Sequence, residues 1–248
     1  MKERPVLPDA ADKAAVVRAM FDRIAPRYDV LNRLISLWLD QGWRRRAVRA
    51  AGIGAGDRVI DLGCGTGDLS ALAARTGAWV VGVDFAGQML AGARRRGIRA
   101  DWVQSDAGRL PFPSAWADAV VSGFALRNFV SIPTVLAESA RVLQAGGRLV
   151  LIEVDTPTNG LLRRAHAVYF NRIVPQLGAL LSDAAAYAYL PRSVSYLPDS
   201  RELQRLIESA GFERVSKQRL CGGAAQIVRA VRAEGSADHR PQHSTQKM

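Results

Sequence analysis

The sequence predicts an α/β fold built on a doubly wound, mostly parallel sheet. Two observations carry this: from Arg58 onward short apolar runs alternate with amphipathic runs of helix length, and the first apolar run passes straight into a glycine-rich turn. Strands that alternate with helices are joined by right-handed crossovers and buried on both faces.

Taken in order, residues 1–50 read as an N-terminal helical cap. Val16, Val17, Met20, Phe21 and Ile24 share one helix face, and a second helical run extends from Leu31 to Val48. Residues 51–232 form the α/β domain. RVIDL, WVVGVD, DWVQSD, ADAVVSGF and RLVLIEV are its first five strands, and helices over Asp68–Arg75, Gly87–Arg96 and Ile132–Leu143 run between them, with a turn at Gly146-Gly147. Residues 157–198 are a helical insertion after the fifth strand. Its run from Leu161 to Tyr189, broken by Pro175 and Gly178, is too long for a connection and is expected over the carboxyl edge of the sheet. A helix over Asp199–Ala210, stopped by Gly211, leads to strands near Arg214–Leu220 and Ala224–Val231, which bring the sheet to seven. Residues 233–248 are polar, lack periodicity and are expected to be disordered.

Composition narrows the class. The 248 residues are 48% hydrophobic, enough for a sizeable core. Two cysteines, Cys64 and Cys221, cannot form a disulfide framework, and no C-x-x-C pair suggests a metal site, so a reducing cytoplasm is the expected compartment. No apolar run approaches a membrane span and the first residues do not resemble a signal peptide. The net charge of +11 would suit nucleic acid or an anionic membrane face. Lysine occurs only at positions 2, 13, 217 and 247, and the dispersed arginines form no basic stripe interleaved with aromatics, so no nucleic-acid partner is expected.

The chemistry is concentrated at strand ends. Asp61-Leu62-Gly63-Cys64-Gly65-Thr66-Gly67-Asp68 is a strand-to-helix turn in which glycine lets backbone approach a ligand and the helix start offers free N–H groups. Its third glycine falls one residue early for G-x-G-x-x-G, and G-K-[ST] is absent. Asp61 would repel a pyrophosphate but accept from an ammonium group, which favours an amino acid as ligand; a bare turn is the alternative. Asp84, at the end of the second strand, can accept from a ribose diol or cap the next helix. Asp106 can take an adenine amino group, and Ala107 leaves room for the ring. These three positions, at the carboxyl ends of adjacent strands, together describe S-adenosyl-L-methionine, and Gly123 is a further candidate cofactor contact.

DLGCGTG, Asp84 and Asp106 resemble the class I S-adenosylmethionine-dependent methyltransferases, a Rossmann-like fold, over roughly residues 55–155. Phe21 to Ser36 with Trp43-Arg44, GFALRNF from Gly123 to Phe129, and Tyr187 to Phe212 resemble the ubiquinone/menaquinone biosynthesis C-methyltransferase family in order and spacing. The resemblance implies methyl transfer to a ring carbon of a polyprenylated quinol, most simply 2-demethylmenaquinol to menaquinol, with Thr66, Asp84, Asp106 and Ala107 at the cofactor. The chain departs from the family at Ala125, where the F-G-L-R-N block has glycine, and at Trp38, where glycine is common.

A carbon nucleophile needs electron density, which a quinol supplies best as its phenolate. Arg127 is the candidate cation for lowering the pKa of the quinol oxygen, with a surface ion pair as its alternative role, and Asn128 is a candidate hydrogen-bond partner for the other oxygen. The base is left open among a water, Tyr28 and Asp29. Tyr28, Asn32, Tyr189 and Ser193 are candidate walls for the isoprenoid tail, with ordinary packing as the alternative for each. The substrate implies peripheral contact with the inner membrane face, and a homodimer stays open. Rival readings are a benzoquinol or other small-molecule substrate, RNA methylation, and a noncatalytic cofactor-binding scaffold of a quinone-synthesis complex.

Overall fold

The computed structural model describes residues 10–174, 176 and 193–234. Tyr189, most of the expected 157–198 insertion beyond Ile173, and nearly all of the tail lie outside the described residues. The chain enters through α1 (Ala10–Ile24), α2 (Tyr28–Ile35) and α3 (Leu39–Ala51). It then alternates β1 (Arg58–Leu62), α4 (Asp68–Ala74), β2 (Trp79–Asp84), α5 (Gly87–Arg95) and β3 (Asp101–Gln104). After these come β4 (Ala117–Gly123), α6 (Ile132–Val142), β5 (Leu143–Val154), α7 (Gly160–Val168), α8 (Ser200–Ser209), β6 (Phe212–Leu220) and β7 (Ala225–Arg232).

The seven strands form one sheet in the order β3-β2-β1-β4-β5-β7-β6. β1 pairs in parallel with β2 and β4, whereas β7 runs antiparallel to both β5 and β6. The order reverses beside β1, so the crevice over its carboxyl end is the ligand position expected of an open α/β sheet. Both faces are buried by strict alternation. Ile60, Leu62 and Val120 pack with Leu136 of α6 and with Leu203 and Ile207 of α8; Val59 and Val121 pack on the other side against Ala47 and Val48 of α3 and Leu69 of α4. Met20, Ile24, Leu31 and Ile35 of the N-terminal helices meet Met89 of α5 and Val174 in a separate cluster.

Three local expectations are corrected. The single helical run from Leu31 to Val48 is two helices, because Leu37 and Trp38 adopt φ of 51° and 64°. The Trp38 N–H donates to the Arg33 carbonyl at 2.7 Å and the Leu37 N–H to Leu34 at 3.1 Å, a Schellman ending in which leucine stands at the place normally given to glycine. Val16, expected on the buried face of α1, is 48% exposed, whereas Val17 is fully covered. Strand pairing in β5 starts at Leu143, before the Gly146-Gly147 turn, and resumes at Arg148 after a register shift opposite β4. No described helix is long and apolar enough to cross a membrane.

Candidate active site

The glycine turn after β1 is shaped by contacts that side chains would block. Gly67 has φ +86° at the start of α4, and a Cβ there would lie 2.5 Å from Trp102 Cη2. The Gly65 N–H donates to Asp84 Oδ2 at 2.8 Å, which fastens the turn to the end of β2. A Cβ on Gly63 would meet the Ala125 methyl at 2.5 Å, so the alanine that departs from the family block stands directly against the turn.

A cleft opens beside this turn, with a volume of about 710 Å³ counting its mouth. Of the residues expected at the cofactor, it brings together Gly63, Gly65, Asp84, Asp106, Ala107 and Gly123. Tyr28 and Asn128 also line it, and α1 covers it with Ala14 and Phe21. Its described walls carry two carboxylates, Asp84 and Asp106, and no lysine or arginine. Such a cleft suits a cationic, aromatic-bearing ligand and opposes a phosphate.

The carboxylates differ in what they have left to offer. Asp84 receives one backbone N–H on each oxygen, from Gly65 at 2.8 Å and Ala86 at 2.9 Å, so each keeps a lone pair for a further donor. Its burial raises its pKa despite these bonds. The helix-cap alternative for Asp84 does not hold, since Ala86 is the N-cap of α5. Asp106 accepts from the Gly108 N–H at 2.8 Å. Asp61 is 1% exposed behind the turn, where Oδ2 accepts from Ser70 at 2.5 Å and Oδ1 is buried without a partner. Burial pushes its pKa up to about 7.

Thr66 and Gly67 are not cleft walls. The Thr66 hydroxyl donates to Asp29 of α2, so it holds the N-terminal helices to the turn. The same junction carries a charge network that sequence reasoning missed. Asp68 meets Arg96 at 2.8 Å, Arg33 at 3.4 Å and Arg44 at 3.9 Å. Burial opposes ionisation of Asp68, but these arginines outweigh it and lower its pKa. Arg44 is itself buried, 3.4 Å from Asp40 and with its guanidinium 5.1 Å from the centre of the Phe124 ring. The only sequence signal for it was its place in the Trp43-Arg44 string.

Arg127 sits differently from its expected role. It is 6% exposed behind the cleft, with Nη1 2.5 Å from Glu153 Oε1 and 2.7 Å from the Phe124 carbonyl. Its Nε donates to Ser193 Oγ at 3.1 Å. Neither alternative weighed for it, a cation at the substrate or a surface ion pair, describes this buried clamp. Ser193, expected in a substrate wall, is fully buried as part of it. The clamp fixes the short 3₁₀ turn Leu126–Asn128, and Asn128 presents a buried, unpartnered Oδ1 at the cleft. The Tyr28 hydroxyl is pushed up in pKa by burial, against the opposing influence of Arg44 and of Asn32 beside it.

The sequence and the fold are matched by known proteins. The model of the ubiE/COQ5 methyltransferase family matches residues 9–232. The chain belongs to that family. It is 46% identical over 215 residues to the demethylmenaquinone methyltransferase of Thermus thermophilus, covering 84% of this chain and 97% of that protein. It is 43% identical over 220 residues to the enzyme of the same name from Deinococcus radiodurans, covering 85% and 90%. A SAM-dependent methyltransferase of Thermotoga maritima, a possible histamine N-methyltransferase, shares the fold with a TM-score of 0.61 at 18% identity, covering 87% of this chain and 99% of that one.

Proposed function

We propose that this enzyme methylates a ring carbon of 2-demethylmenaquinol, giving menaquinol, with S-adenosyl-L-methionine as methyl donor. The observation that carries the reading is its 46% and 43% identity, over most of the chain, to proteins named demethylmenaquinone methyltransferase.

The residues present fit the cofactor. Asn128 Oδ1, at the cleft, is a buried acceptor without a partner, and a buried acceptor left so is costly unless a ligand supplies the donor. Asp84 has two lone pairs for a ribose diol, and Asp106 with Ala107 has the acceptor and the space for adenine. When bound, S-adenosyl-L-methionine supplies an electrophilic methyl group on a positively charged sulfur. The absence of basic side chains from the described walls suits that charge.

The protein's part is then positioning and charge control. Holding the ring carbon in line with the methyl group can contribute about 7–11 kcal/mol to lowering the barrier. Asn128 is the group that orients the quinol, accepting from a ring hydroxyl. Arg127, Glu153 and Ser193 act through it by fixing its turn. Phe21 and Tyr28 from the N-terminal helices close the cleft against water, which strengthens these polar contacts. Peripheral contact with the inner membrane face from the cytoplasmic side is part of this reading, because the substrate's isoprenoid tail lies in the bilayer.

Quinones extracted from a strain lacking this gene test the reading. Accumulated demethylmenaquinone, restored to menaquinone by the wild-type chain, supports it; an unchanged quinone pool refutes it.

A further inference from the structure

The turn between α2 and α3 is costly twice over. Leu37 and Trp38 hold left-handed backbone, which side-chain-bearing residues disfavour, and both are 65% exposed. Neither burden serves the core. Beside this turn, α7 and the helical residues Tyr169–Ile173 present Leu161, Leu162, Val168 and Ile173, exposed by 77%, 49%, 51% and 43%. A groove of about 1390 Å³, counting its open mouth, lies between the two segments, walled by Leu37, Leu39 and Trp43 on one side and by Leu161, Leu162 and Val168 on the other. The Tyr169 hydroxyl donates to the Ile35 carbonyl at 2.9 Å and ties the two segments together.

The exposed charge described on α7 is basic. Residues 160–173 carry Arg163, Arg164 and Arg172, all exposed, and no aspartate or glutamate. At the turn, Asp40 is buried against Arg44 and Ser36, while the Arg33 guanidinium lies 5.9 Å from the centre of the Trp38 ring. Exposed leucines, a tryptophan at the tip and a run of arginines are the composition of a surface that enters the boundary of an anionic bilayer.

We infer that the α2–α3 turn and α7 form the membrane-docking face of this enzyme, with Trp38 as its interfacial anchor. The inference rests on the proposed substrate, whose isoprenoid tail lies in the bilayer, and deepens it by naming the face that meets the lipid. The groove then opens at the lipid, and the Trp43–Phe124 ring pair, 6.2 Å between centres, joins its wall to that of the cleft. The strain at Trp38 follows from this role: glycine would relax the backbone but leave no ring to insert.

Sedimentation of the full chain with vesicles tests this, using phosphatidylcholine alone and phosphatidylcholine mixed with phosphatidylglycerol. Wild type should partition onto the anionic vesicles and stay in solution with the neutral ones. R163Q/R164Q should weaken that partition by about 30-fold, from the usual contribution of two basic residues near an anionic surface. W38G should weaken it several-fold while its melting temperature holds or rises. No binding of wild type to anionic vesicles, wild-type binding by W38G, or a lower melting temperature of W38G would overturn the inference. Conversion of a stable dimer to monomers by W38G would assign the face to a second copy and also overturn it. Turnover of a short-chain demethylnaphthoquinol in free solution should be unchanged in R163Q/R164Q, and a loss there would count against docking. No turnover of that quinol by wild type would instead refute the proposed function, leaving the vesicle result to be read by itself.

Discussion

Replacing Asp61 by asparagine should alter how stability depends on pH. The carboxyl is 1% exposed at the end of β1, receives the Ser70 hydroxyl at 2.5 Å, and is pushed by burial up to a pKa of about 7 from an ordinary 3.8. Between those values the native state keeps a proton that the unfolded chain has released. The stabilisation from this group is therefore complete below about pH 4, declines as pH rises, and is gone above about pH 7. A gap of roughly three units corresponds to about 4 kcal/mol at ~1.36 kcal/mol per unit. Asparagine keeps an acceptor for Ser70 and cannot ionise. Urea unfolding of both proteins from pH 4 to 7.5, followed by circular dichroism, should show D61N gaining on wild type by about 4 kcal/mol across that range. Asp57 and Asp68 shift in the opposite direction but are common to both proteins and cancel in the comparison, whereas Asp84, whose charge helps raise the Asp61 pKa, adds its coupling with Asp61 to the difference. A difference that stays flat within about 1 kcal/mol would refute the argument that Asp61 is held protonated by burial. Because an ammonium beside Asp61 favours its ionised form, S-adenosyl-L-methionine should also bind wild type more tightly as pH rises towards 7, and D61N should lose that dependence.

Breaking the Arg127–Glu153 clamp from one side, as in R127M or E153M, leaves a buried charge alone and should cost about 3–5 kcal/mol in urea unfolding; the double R127M/E153M should recover most of it. Gly67→Ala puts a methyl group 2.5 Å from Trp102 at φ +86° and should destabilise by about 2–4 kcal/mol, part of which W102L restores in a thermal melt. Asp84→Asn should weaken S-adenosyl-L-methionine binding by roughly 10–100-fold in calorimetry, through the loss of charge-assisted bonds to the ribose.

The sheet was legible because its strands are short, apolar and separated by helical periodicity, and the glycine turn because its residue spacing excludes the usual nucleotide fingerprints. Asp84, Asp106 and Ala107 were readable for the same reason: strand ends are places that a sequence marks. The Arg127 clamp was not, since Glu153 lies 26 residues away and nothing local says which carboxylate a buried arginine will find. The Asp68 network hides likewise, drawing Arg33 and Arg44 from two helices and Arg96 from just beyond a third. The break between α2 and α3 was missed because Leu37 and Trp38 continue an amphipathic helix pattern while adopting backbone usually reserved for glycine.

Methyl transfer in solution tests the central claim most directly. Purified chain incubated with isotopically labelled S-adenosyl-L-methionine and reduced demethylmenaquinone should yield menaquinol carrying the label on a ring carbon. Label recovered on a quinol oxygen, or none recovered with the cofactor demonstrably bound, would contradict the account.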